Sequence, residues 1–337
     1  MKLNHVSIRH FKSLADVQVQ LHPRVTVLVG PNAVGKSNFV DALRFMRDAA
    51  KTGLEDAVSR RDGMARIRPE GLDDEEVIRL EAELGSETID SDEYKPVSFR
   101  VTLGDDPYSY AFGYSIDPLD DVETDLASWK FSVLNVETLR TLSSDDSQVA
   151  LRDDGSNWAS VIRAAKSGVK GRQMLERITE MMQVVLPDFQ SVSAIKAGSY
   201  LVPQFKFGTD KEHKQTFDPV ALSDGTLRIF GILLALYQNP PPALIVVEEP
   251  ELCVHPGVMS MLAEAFKEVS EVTQVIVTTH SPQLIDHFEP ENIRIVTKID
   301  GVTRISPIKR SQQEAVQEGL MGLGEFMAAE GLQPEPL

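Results

Sequence analysis

Residues 3–21 alternate apolar and polar side chains, with Val6, Ile8 and Phe11 in one arm and Val17, Val19 and Leu21 in the other. Period-two alternation predicts two half-buried strands joined at Lys12-Ser13-Leu14. After Pro23 the run Val25 to Val29 is apolar throughout and reads as a buried strand, and Phe39, Val40, Leu43, Phe45 and Met46 then recur at helical spacing. Alternation returns at residues 77–84, 97–103 and 108–116, between acidic turns at 73–76, 105–106 and 120–121, and residues 131–139 read as one more strand. Residues 70–140 are therefore expected to form a β-rich insertion continuing the first antiparallel sheet.

Helical periodicity follows at 157–165 and 173–185, interrupted by Ser167, Gly168 and Gly171 and ended by Pro187, which suits a small helical lobe. Residues 204–207 read as a strand and 208–215 as an exposed polar turn. An apolar helix is expected after Ser223, buried strands at 243–247 and 275–279, a hairpin over 293–308 turning at Asp300-Gly301, and a glycine-broken helix over 312–329.

Composition narrows the class. A chain of 337 residues exceeds the usual single-domain range, and its 42% hydrophobic and 25% charged content is that of a globular protein. The net charge of −17 opposes bulk attraction to nucleic acid or to a membrane surface, while leaving room for a local basic groove that binds DNA. One cysteine, Cys253, rules out an intrachain disulfide and any multi-cysteine zinc site. The first residues lead into an amphipathic strand, and residues 229–236, the longest strongly apolar run, are too few to span a bilayer. A cytoplasmic protein without a membrane partner is expected.

The chemistry enters between the first buried strand and the first helix. Gly30, Pro31, Asn32, Ala33, Val34, Gly35, Lys36 and Ser37 match G-x-x-x-x-G-K-[ST], in the strand–loop–helix context where backbone N–H groups and a helix N-terminus wrap phosphate. Lys36 would reach the β/γ-phosphates of ATP, and the Ser37 hydroxyl would serve Mg²⁺. Residues 243–247 form an apolar strand delivering Glu248 and Glu249 to its C-terminal edge, the way phosphate-loop enzymes present carboxylates to Mg²⁺ and to the attacking water. His280 follows another apolar strand, at the edge where α/β sheets bind ligands. Ser223-Asp224-Gly225 opens a helix, as an N-cap or as a further phosphate contact.

Ile8-Arg-His-Phe11-Lys-Ser, then Asn32 and Asn38 set in the phosphate loop, resemble the opening of the RecF/SMC-like branch of ABC-type ATPases. Leu222-Ser223-Asp224-Gly225, with Arg228 three positions on, resembles the ABC signature, usually L-S-G-G-Q, in the variant L-S-D-G-x-x-R of RecF-like ATPases, with Asp224 and Thr226 where the usual signature has Gly and Gln. Glu248-Glu249-Pro250-Glu251 with His255-Pro256 resembles the Walker B and D-loop pattern of RecF/OLD-like enzymes, and Thr278-Thr279-His280-Ser281-Pro282 their switch histidine.

The resemblance implies an α/β P-loop NTPase of the ABC-ATPase-head type, with an N-terminal antiparallel β subdomain and a β/helical insertion. Expected divisions are 1–53 for the N-terminal strands and phosphate-loop lobe, 54–215 for the insertion, 216–310 for the signature, Walker B and switch-histidine lobe, and 311–337 for a terminal helix and tail. It implies Asn38 and the signature residues as nucleotide contacts, Glu248 on Mg²⁺, Glu249 as general base, and His280 as γ-phosphate sensor. It also implies a head-to-tail homodimer, or a higher oligomer, closed by ATP, because the signature turn serves the phosphate loop of another copy. The stretch after His280 is too short for the Toprim nuclease domain of OLD enzymes, so a separate effector, a nuclease or toxin, is expected in DNA repair or antiviral defence.

Two other function classes stay open: an ABC transporter ATPase subunit, and a nucleotide-gated scaffold with little turnover. The divergent signature and the lack of an assignable Q-loop weigh against the first, since Gln204 is a candidate by residue type alone. Intact Lys36, Glu249 and His280 weigh against the second. Arg60, Arg61, Arg66 and Arg68 form either a solvated loop or a phosphate-proximal cluster, and Arg163, Lys166, Lys170 and Arg172 either a solvated face or a nucleic-acid contact.

Overall fold

The structure, a computed structural model, describes residues 1–69, 71, 76–85, 97–104, 119–133, 135–146, 150–208 and 214–336. The strand expected at 108–116, the acidic turn at 105–106 and much of those at 73–76 and 208–215 lie outside the described residues. The chain divides into two compact units. One comprises Met1–Trp129, Pro242–Val246 and Thr273–Leu337, and the other Lys130–Pro241 and Val247–Val272.

The first unit holds two sheets. One is antiparallel, in the order Leu14–Gln20, Lys2–Phe11, Ile78–Gly85, Val97–Leu103, so the inserted strands continue the N-terminal hairpin as the alternation predicts. A register shift between Leu3 and His5 and a left-handed His10 (φ 57°) let Leu3 and Phe11 join Val6 and Ile8 in the core despite their different parity. The region 70–140 is not β throughout, because Leu119–Ser128 is a helix.

The second sheet carries the phosphate loop. Val25–Val29 lies between the parallel neighbours Gln274–Thr279 and Ile293–Ile299, and Val302–Ser306 closes one edge as an antiparallel hairpin partner. Asp300 (φ 50°) and Gly301 (φ 82°) make the expected two-residue turn, since both central positions of a type I′ turn need positive φ. Every residue of Val25–Val29 and Gln274–Thr279 is buried, as parallel strands covered on both faces require. The helix Lys36–Thr52 buries Phe39, Val40, Leu43, Phe45 and Met46.

In the second unit Phe189–Ala197 and Gln215–Phe217 both pair antiparallel with Tyr200–Phe207. The helices Trp158–Ala165, Val169–Val185 and Asp224–Leu236 belong to the same unit. Phe230 sits edge-on to Trp158 (centroids 5.6 Å apart) and to Phe205 (5.0 Å), which anchors the helix that starts at the signature turn.

Two expectations need correction here. The strand expected over 131–139 stops at Ser132, and Val136–Arg140 is a helix capped by Asn135, whose side chain accepts from Glu137 N at 2.9 Å. Gly171 lies inside a helix rather than interrupting one, because a Cβ there would come 2.3 Å from Ala165 O.

Candidate nucleotide site

Val29 pairs with Thr279 in parallel register, so the phosphate loop and His280 leave the sheet side by side at its C-terminal edge. Pro31, Asn32 and Ala33 are exposed, and Ala33 takes a left-handed conformation (φ 64°). Lys36 is buried, with Nζ donating to Gly30 O at 2.6 Å and Pro31 O at 2.9 Å, so its charge is carried inside the loop. The helix starting at Lys36 has no side-chain N-cap and no acid in its first turn, and Ser37 is exposed on that turn. Uncapped N–H groups at the positive end of a 17-residue helix suit an anion.

The loop is braced by residues far along the chain. Thr303, on the edge strand of the hairpin, donates from Oγ1 to Val34 O at 2.8 Å and is 2.6 Å from Ser13 Oγ. Ser13 Oγ accepts from Asn38 Nδ2 at 2.7 Å, so Asn38 spends its amide on this brace. Gly30 packs so close to the hairpin that a Cβ would lie 2.4 Å from Val296 O. Past His280, Thr279 Oγ1 accepts from Ser281 N at 3.0 Å, and Ser281 Oγ caps Leu284 N at 3.2 Å, which fixes the turn carrying the histidine.

The second unit gathers the signature and acidic motifs. Ser223 caps the helix Asp224–Leu236, its Oγ accepting from Thr226 N at 3.2 Å. Gly225 meets the segment after the acidic strand, where a Cβ would stand 2.7 Å from Cys253 O. Arg228 donates from Nη2 to Glu248 O at 3.2 Å and Glu249 O at 2.8 Å, tying the signature helix to the end of the strand Leu244–Glu248. Burial pulls the Arg228 guanidinium below its ordinary value, and the charges of Cys253, Glu251 and Glu249 oppose that. Glu249 is left-handed (φ 45°), an uncommon conformation for a side chain of its size. His255 Nδ1 accepts from Gly257 N at 3.0 Å and so shapes its own turn. Gln204 lies within the strand Tyr200–Phe207, opposite Ser193.

The arginine cluster separates by role. Arg61 is buried, pairs with Asp41 at 2.8 Å and Asp48 at 3.3 Å, and stacks on Phe45 at 4.9 Å, so it is a structural clamp on the phosphate-loop helix. Of the other basic group, Arg163 pairs with Asp145 at 2.8 Å, and Arg172 donates to Lys166 O. Sequence reasoning missed Ser13, Thr303 and Arg140 as site-shaping residues. Arg228 was visible only as one letter of the signature pattern.

The residues suit ATP with Mg²⁺. The donor-rich loop fits phosphate, and the Ser37 hydroxyl at the start of its helix is a hard oxygen of the kind Mg²⁺ prefers. Among the described residues no group of three or more His, Cys, Asp or Glu side chains could hold a metal. No described helix is long and apolar enough to cross a membrane.

The DNA replication and repair protein RecF of Paenarthrobacter aurescens is 46% identical over 46 residues, which is 14% of this chain and 12% of that protein. Endonuclease GajA of Bacillus cereus is 22% identical over 346 residues, covering 88% of this chain and 58% of GajA. The chain thus spans less than two thirds of either relative. The SMC head bound to the C-winged helix domain of ScpA superposes with a TM-score of 0.65 at 15% identity, over 93% of this chain and 99% of that one. The SMC head domain from Thermotoga maritima gives 0.53 at 17% identity, over 92% and 100%. At such identities the likeness establishes the fold, that of an ABC-ATPase head. Residues 25–286 match the family described as "AAA domain, putative AbiEii toxin, Type IV TA system", and the chain belongs to that family as a RecF/SMC/OLD-like ABC-type ATPase.

Proposed function

We propose that the chain binds and hydrolyses ATP with Mg²⁺, and that two copies close head to tail around two nucleotides to switch a separate effector in DNA maintenance or phage defence. The observation that carries this is the phosphate loop and His280 issuing from paired strands, with the Lys36 helix uncapped beneath the loop. The RecF and GajA relatives support a setting in nucleic-acid maintenance or defence.

In this reading Lys36 and the loop amides hold the β/γ-phosphates, and Ser37 and Glu248 serve the metal. Glu249 orients and deprotonates the attacking water, and His280 contacts the γ-phosphate. Ser223, Asp224 and Gly225 belong to the turn that meets the nucleotide of the other copy. ATP binding would bias an open/closed equilibrium only through contacts the closed dimer alone makes.

Glu249→Gln should keep ATP affinity, lower turnover by about 10²-fold or more as loss of a general base does, and accumulate an ATP-bound dimer. Lys36→Ala should lose nucleotide binding. Steady-state phosphate release and light scattering with ATP read both variants. A Glu249→Gln protein that stays monomeric in saturating ATP would refute the two-copy site, and unchanged affinity in Lys36→Ala would refute the phosphate-loop assignment.

A further inference from the structure

The signature turn carries an acid, Asp224, and its carboxylate is 57% exposed. Asp224 is the first residue of a 13-residue helix, whose dipole favours an anion at that end. A bare negative charge on the surface that meets a γ-phosphate would repel it. Arg140, the last residue of the short helix Val136–Arg140, answers that charge. Its Nη2 donates to Asp224 Oδ1 at 2.5 Å and to Leu222 O at 3.0 Å, and Nη1 reaches Glu137 Oε1 at 3.3 Å. One guanidinium thus grips the turn on both sides of Ser223, whose hydroxyl is held by Thr226.

We propose that Arg140 is a positioning residue for the signature turn: it neutralises Asp224 and fixes Leu222, so that the Ser223 hydroxyl and the turn's backbone N–H groups, rather than a carboxylate, face the phosphate held by a second copy. The inference rests on the proposed ATP-closed dimer. It makes Arg140 and Asp224 a matched pair, in which the arginine answers the charge that the acid brings to the turn.

The pairing predicts coupling that a merely structural arginine would not show. Arg140→Gln should lower turnover and ATP-driven dimerisation about tenfold, in the range of coupled contact pairs, and leave nucleotide affinity of the single chain within about twofold. Arg140→Lys should recover part of the loss, keeping the charge without the fork. In an Asp224→Gly background, Arg140→Gln should cost markedly less, because only its bond to Leu222 O is left to lose. Turnover, light scattering and binding of a fluorescent ATP analogue measured on the four combinations decide it, with the unchanged affinity certifying the fold. Equal losses from Arg140→Gln in both backgrounds would overturn the compensation, as would a full-rate Arg140→Gln. A wild-type chain that binds ATP without turning it over or dimerising would overturn the proposed function as well, so the two failures are told apart.

Discussion

Thr303 Oγ1 stands 2.1 Å from where a Cβ on Gly35 would lie, and it donates to the carbonyl of Val34 one residue earlier. The second glycine of the phosphate loop is therefore imposed twice, by its positive φ of 110° and by the side chain braced against it. Gly35→Ala should cost about 1–3 kcal/mol of stability through backbone strain and lose most nucleotide affinity, and trimming Thr303 to Ala should not rescue it. Thermal melts and titration with a fluorescent ATP analogue check both variants.

Thr303→Val keeps the shape and removes the hydroxyl that joins Val34, Ser13 and, through Ser13, Asn38. Leaving the half-buried Val34 carbonyl without its donor and the Ser13 hydroxyl without its acceptor should cost about 1 kcal/mol, and nucleotide affinity should fall because Val34 is released. Equal affinity in Thr303→Val and wild type would remove the brace from the account of the site.

Arg228 reaches the carbonyls of Glu248 and Glu249, and Glu249 is the residue held in a left-handed conformation. Arg228→Lys keeps a cation but cannot reproduce the planar fork. Its expected effect is a turnover loss of about tenfold with unchanged nucleotide affinity, because the phosphate loop is untouched while the acid's backbone is freed. A rise in the ATP concentration needed for half-maximal rate, with kcat preserved, would contradict this.

Much of this was legible in the sequence wherever the signal is local. The Val6/Ile8 alternation, the all-apolar Val25–Val29 and the Asp300-Gly301 turn each declare their element within a few residues. The braces are not local. Thr303 and Val34 are 269 positions apart, and Arg140 lies 84 positions from Asp224, so no window of pattern reveals either pair. Residues 131–139 misled for a different reason: a short apolar run fits a strand or a helix equally, and only the Asn135 cap decides it. Composition alone groups Arg61 with a charge cluster, although its partners Asp41 and Asp48 sit on the helix Lys36–Thr52.

That clamp makes stability depend on acid. Burial pushes the Asp41 carboxyl up, but the hydrogen bonds and charges of Arg61 and Lys12 outweigh it and hold the group below its ordinary value of 3.8. A carboxylate whose folded pKa is depressed adds stability that is fully present above the unfolded pKa and is lost as pH falls through the folded one. Wild type should therefore exceed Asp41→Asn by about 1–3 kcal/mol at neutral pH, since Arg61 is left with Asp48 as its carboxylate partner and Lys12 loses its own, and the gap should narrow below about pH 4. Denaturant melts of both proteins between pH 7 and pH 3 measure it, and a gap that widens with acid would contradict the pairing.

Gly171 gives a case where a general preference should reverse. Glycine inside a helix costs about 1 kcal/mol relative to alanine, so Gly171→Ala in Val169–Val185 would ordinarily stabilise. Here the added methyl would meet Ala165 O at 2.3 Å and Ala165 Cα at 2.5 Å, both backbone atoms that cannot swing aside. Separating the helices Trp158–Ala165 and Val169–Val185 to admit it should cost about 1–3 kcal/mol, as overpacking does, which outweighs the gain in propensity. The variant should melt below wild type, while Lys170→Ala on the exposed side of the same turn should stay close to it. A higher melting temperature for Gly171→Ala would mean that the two helices are free to part.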